Sequence, residues 1–151
     1  MAASLTFALC VDGVDDEALI SAALPWLSNA ERIEVWCGYG DEAARELEHI
    51  RERHGRPHPP HPPHHDDVPD REQADAIAQA AVELLRRRGI SATVRTLSGR
   101  DAGHAVAAAT AREIVVLLGS GHRGGVGPKS IGHVARFIID HAAGPVIVLK
   151  L

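Results

Sequence analysis

Aromatic side chains are scarce: two Trp, two Phe and one Tyr make up 3% of the 151 residues. A core therefore has to be assembled mainly from Ala, Val, Leu and Ile. Cysteine is limited to Cys10 and Cys37, both inside apolar strand-like segments. They read as buried reduced thiols rather than as a disulfide framework. No apolar run approaches bilayer length, so no membrane span is expected. The opening Met1-Ala2-Ala3-Ser4-Leu5 carries no positive n-region, so a signal peptide is not expected either, and the cytoplasm is the expected compartment. A positive excess is also missing: the formal charge is −4, which argues against a broad nucleic-acid surface.

Catalytic patterns are missing as well. No serine or cysteine sits in a nucleophile elbow, and no pair of carboxylates has a partner pattern, so an enzyme is not expected. The turn Asp12-Gly13-Val14-Asp15-Asp16 lacks the GxGxxG of a dinucleotide fold. Gly127-Pro128-Lys129-Ser130 falls short of a Walker A loop, because Pro128 occupies the required glycine. A phospho-receiver domain is rejected because no aspartate ends the third strand, which runs into Leu97-Ser98-Gly99.

The apolar pattern itself is orderly. Leu5–Val11 reads as a strand, and Asp15-Asp16-Glu17 opens a helix with Leu19, Ile20, Ala23, Leu24 and Leu27 at helical spacing. Arg32–Cys37 alternates as a second strand and stops at a Gly38-Tyr39-Gly40 turn. Asp41–Arg53 and Asp70–Arg88 read as helices, the second stopped by Gly89. Strands follow at Ile90–Leu97, Glu113–Leu118 and Val146–Leu151, with helices at Ala102–Ala111 and His133–His141. The order β-α-β-α-α-β-α-β-α-β predicts one α/β domain over 1–151, a Rossmann-like open five-stranded parallel sheet with helices on both faces. Ligands of such sheets bind beyond the C-terminal strand ends, where the strand order reverses.

Between the second and third helices lies a proline–histidine tract at about 55–69, expected as a surface loop. In an extended polyproline II conformation, His58, His61 and His64 share one face at intervals of about 9 Å. A zinc site needs nitrogens about 2 Å from one ion, so the tract reads as solvated. Weak metal uptake by His58, His61, His64 and His65 is the alternative.

The segment from Gly119 to Gly132 is the chemically distinctive one. Its glycines let main-chain N–H groups approach an oxyanion, and the helix that follows adds partial positive charge. Arg123 and Lys129 supply cations, Ser120 and Ser130 supply hydroxyls, and His133 supplies a further donor. The composition fits a phosphate cradle and a plain surface turn equally. Asp12, after the first strand, reads either as a ligand contact or as a turn former.

With those residues in view, the chain resembles the universal stress protein family over nearly its whole length. Nucleotide-binding members carry G-x2-G-x9-G-[S/T] here; Gly119 matches the first glycine and Gly132 the third without a gap. Arg123-Gly124-Gly125 matches the RGG common inside the motif, and HAAGPVIV from His141 to Val148 matches the HAPCPVLV-like ending. Val11-Asp12-Gly13 resembles the VDGS that closes the first strand, with Val14 where serine is common. His122 replaces the second glycine and His133 the Ser/Thr. The resemblance implies a stress-response or regulatory protein binding ATP with Mg²⁺, or a related adenine nucleotide or anion, without rapid turnover. Taken with the chemistry of the loop residues, it gives Asp12, Gly119, Arg123, Gly124, Lys129, Ser130, Gly132 and His133 as the expected site residues, and it implies a homodimer. The family also contains members that do not bind ATP. The alternative is a dimeric interaction module that binds no nucleotide.

Overall fold

Each expected strand enters one sheet in the computed structural model, which describes residues 4–40, 69–120 and 131–151. The strands are β1 (Thr6–Cys10), β2 (Arg32–Gly40), β3 (Thr93–Gly99), β4 (Ile114–Gly119) and β5 (Val146–Leu149). The described helices are α1 (Asp16–Leu27), α2 (Arg71–Arg87), α3 (Ala102–Ala109) and α4 (His133–His141). All pairings are parallel, in the order β3-β2-β1-β4-β5. The protein is thus a Rossmann-like open five-stranded parallel sheet.

Alternation along the strands makes two cores. Leu9, Val35 and Cys37 point to one face and pack with Leu19, Ile20 and Leu27 of α1 and Ala74, Ala78 and Leu85 of α2. Ala8 and Trp36, their neighbours in sequence, point to the other face with Ala105 and Val106 of α3 and Ala135 and Ile138 of α4. Period-2 alternation in strands buried on both sides requires helices on both faces, and they are there. Trp36 is fully buried, and its indole N–H is satisfied by Glu34 Oε2 at 2.7 Å.

Local chemistry sets the helix ends. Asp70 and Gln73 form a reciprocal capping box on α2, with Gln73 N–H donating to Asp70 Oδ1 at 2.8 Å and Asp70 N–H to Gln73 Oε1 at 3.0 Å. Asp101 caps α3 by accepting His104 N–H at 2.9 Å.

Several strand boundaries differ from expectation, two of them for a visible reason. The expected turn at Gly38-Tyr39-Gly40 is strand: Gly38 to Gly40 stay in register with Leu97 to Gly99 of β3. The glycines serve packing there, since a Cβ at Gly38 would lie 2.8 Å from Ala102 O and one at Gly99 2.8 Å from Ala105 N. β3 begins at Thr93 rather than Ile90 because the chain first closes α2, where Ile90 N–H donates to Leu85 O at 3.0 Å. α3 stops at Ala109, and β5 at Leu149. The expected helix at 41–53 and the proline–histidine tract, with His58, His61, His64 and His65, lie outside the described residues apart from Pro69. Among the described residues, no helix is long and apolar enough to cross a membrane.

Candidate functional site

β1 and β4 are neighbours, yet their following helices leave to opposite faces, α1 to one and α4 to the other. That divergence opens a crevice beyond their C-terminal ends. It holds a cavity of about 250 Å³. Its floor is apolar, made by Cys10, Leu19, Val106, Leu118 and Ile138, and its rim carries Asp12, Asp15, Asp16, Ser120 and His133.

The β1–α1 rim is a network of carboxylates on main-chain donors. Asp12 Oδ1 accepts Val14 N–H at 2.9 Å, which makes Asp12 a turn former. Asp16 reaches backwards, accepting Asp12 N–H at 3.2 Å and Gly13 N–H at 3.0 Å. Gly13 has φ +85°, which the turn requires and a side chain resists. Burial pushes the Asp16 carboxyl above the usual aspartate range, with Asp12 and Asp15 adding to the rise and its two main-chain hydrogen bonds opposing it.

The β4–α4 rim has the opposite polarity. Gly132 is the N-cap of α4 with φ +82°, and among the described residues no side chain caps the helix. Arg136 N–H makes the first intrahelical bond, to Gly132 O at 3.1 Å. The N–H groups of the first turn, at His133, Val134 and Ala135, therefore lack intrahelical partners where the helix meets the cavity. Near Gly119 the situation differs: Ser120 N–H donates to Leu149 O at 2.8 Å and Leu151 N–H to Ser120 Oγ at 3.3 Å. Ser120 N–H, the main-chain donor that follows Gly119, is thus spent inside the protein, and residues 121–130 lie outside the described residues.

No family model matches the chain, and no curated protein matches its sequence. Solved structures do match it. A universal stress protein from Archaeoglobus fulgidus is 21% identical with TM-score 0.56, covering 97% of this chain and 98% of its own. The universal stress protein UspA from Lactobacillus plantarum is 20% identical with TM-score 0.54, covering 99% of each chain. A universal stress protein solved in complex with cAMP is 14% identical with TM-score 0.60, covering 98% of each.

The fold is that of the universal stress proteins.

Within this universal stress protein fold, four residues expected from the sequence line this cavity: Asp12, Gly119, Gly132 and His133. Arg123, Gly124, Lys129 and Ser130, like His122, lie outside the described residues. Sequence reasoning missed Asp16 as a rim residue, having read it as a charge suited to the helix dipole. It also missed Gly38 and Ala102, which close the cavity between β2 and α3. The spacing of Asp12 and Asp16 around Asp12-Gly13 was the available signal for the first.

Both cysteines are free thiols. Burial, then the negative charges of Asp16, Asp12 and Asp75, pushes Cys37 up to about 12. Burial, with a further contribution from Cys37, pushes Cys10 higher still, so neither is a thiolate at neutral pH. Among the described residues, no group of three His, Cys, Asp or Glu could hold a metal ion. His104 pairs with Asp101 at 2.9 Å, and His141 Nδ1 lies 2.8 Å from Phe137 O, both in structural roles.

Proposed function

We propose that this protein is a stress-response or regulatory protein that binds an adenine nucleotide, ATP with Mg²⁺ or a relative, in the crevice between β1 and β4. The observation that carries the reading is the convergence of Asp12, Gly119, Gly132 and His133 on one cavity at the strand-order reversal. An apolar floor suits a base and sugar, and a glycine-capped helix N-terminus beside His133 suits a phosphate. The likeness to a universal stress protein solved with cAMP supports a nucleotide as the ligand class. The residues present thus fit the group. Gly132 and His133 would hold the phosphate end, and bound Mg²⁺ would supply charge neutralisation to it.

The ligand acts here as a signal rather than a substrate. Binding without rapid turnover belongs to this reading, in keeping with the protonated thiols of Cys10 and Cys37. Cytoplasmic location belongs to the same reading, as does a homodimer. β5 is an edge strand with Val146, Ile147 and Val148 half-buried, so its outer edge invites pairing.

Calorimetry and thermal shift with ATP, AMP and cAMP, with and without Mg²⁺, test the proposal. At a ligand concentration 100 times Kd, stability rises by about 2.7 kcal/mol. The absence of any shift at millimolar nucleotide would refute it and leave the nucleotide-independent interaction module.

A further inference from the structure

The first motif glycine has a partner inside the chain. A Cβ built at Gly119 would lie 2.8 Å from Leu151 Cδ1 and 3.5 Å from Leu151 Cγ, with Leu19 Cδ1 next at 3.6 Å. The space that glycine leaves open at the end of β4 is thus taken by the Leu151 side chain. Ser120 ties the 149–151 segment beside Gly119, through its N–H on Leu149 O and Leu151 N–H on its Oγ. It also lines the cavity and stays 42% exposed, so one side packs on Gly119 while another faces the crevice.

We propose that Leu151 is a specificity-determining residue of this cavity, and that Gly119 lacks a side chain to seat Leu151 rather than to admit a phosphate. An anion needs donors, and the Ser120 N–H next to Gly119 is already engaged by Leu149 O. What Leu151 offers is a branched alkyl wall, continuous with Leu19, that meets the apolar face of a ring or sugar. The anionic end of a ligand is thereby directed to the opposite rim, where α4 begins at Gly132 and His133. Adding a Cβ at Gly119 displaces only the far end of a flexible side chain. Leu151 then turns into a neighbouring rotamer and narrows the cavity.

The affinity part rests on the nucleotide reading, and a double-mutant cycle tests it on the full chain. In ATP titrations, Gly119→Ala weakens binding by about tenfold because Leu151 is driven into the cavity. Gly119→Ala combined with Leu151→Ala binds within about threefold of Leu151→Ala alone, since the new Cβ fills space that Leu151 vacates. Leu151→Ala changes adenosine and ATP affinity by the same factor, because the wall touches the part that the two share. If the double variant stays as weak as Gly119→Ala, the ligand itself needs the space over Gly119 and the proposal is overturned. If the wild-type protein binds neither ATP, AMP nor cAMP, the nucleotide reading fails on its own. Thermal unfolding then decides the pairing: Gly119→Ala lowers Tm by about 2–4 °C, and adding Leu151→Ala recovers it. Strictly additive Tm losses would overturn the proposal in that case.

Discussion

Replacing Gly99 by alanine tests how α3 is seated. The new Cβ would face backbone, with Ala105 N at 2.8 Å and Ala105 Cα at 2.9 Å, whereas ordinary contact begins near 3.4 Å. Backbone cannot rotate aside as a side-chain tip can, so α3 must lift from the sheet by roughly half an ångström. Lifting is resisted at the helix start, where Ala102 sits on Gly38. It is resisted also on the far side, where His104 packs on Phe137 of α4 with ring centroids 4.2 Å apart. Overpacking of this kind costs about 2 kcal/mol, which for a domain of this size lowers Tm by about 4–8 °C. Gly38→Ala meets the same helix, so one displacement relieves both clashes. The double variant therefore loses less than the sum of the singles, by more than about 0.5 kcal/mol. Urea unfolding followed by tryptophan fluorescence is a suitable assay, because the buried Trp36 packs in the same core as Ala105 and Val106. Singles each costing under about 0.5 kcal/mol, or strict additivity, would refute the close-packing argument.

Glu34 is 8% exposed and accepts the Trp36 indole N–H, so Glu34→Ala leaves a buried donor unpaired and costs about 1–3 kcal/mol by urea unfolding. Glu34→Gln, which keeps an acceptor, costs less than half as much. Asp16 binds its proton at higher pH folded than unfolded, because burial raises its carboxyl. The folded state therefore holds more protons between the two values, and stability falls as pH rises through that interval. Asp16→Asn removes this fall from the stability profile. Asp101 has the opposite sign. Burial raises its carboxyl, but the hydrogen bonds from His104 outweigh that and hold it below the usual range. Its stabilisation is present above the ordinary aspartate value and lost as pH falls, and Asp101→Ala flattens that acid limb. Cys37, which is buried, reacts with a thiol reagent at neutral pH only on unfolding; its prompt labelling in the native protein would contradict that burial.

Much of this protein was legible from local pattern. Alternating apolar residues with a period of 2, helical stripes with a period of 3.6 and the α/β order specify a parallel sheet covered on both faces, because each apolar face must be buried. The α4 boundaries, His133–His141, follow from its apolar stripe and from the glycine before it. The motif spacing from Gly119 to Gly132 located the loop at the strand-order reversal, since a β-strand followed by a helix places its loop at the C-terminal edge.

Other features depended on residues distant in sequence. Gly38-Tyr39-Gly40 has turn composition, yet β3 pairs with it and α3 presses on it, so it is strand. Asp16 has the look of a helix-start acid, yet the turn before it offers two N–H groups within reach, so its carboxylate closes the rim. The sequence alone located the edge of the sheet where a ligand would sit, because connectivity dictates that. Only the tertiary structure brought Leu151 over Gly119 and engaged the Ser120 N–H beside it, because that contact joins two strand ends that the chain's local pattern does not relate.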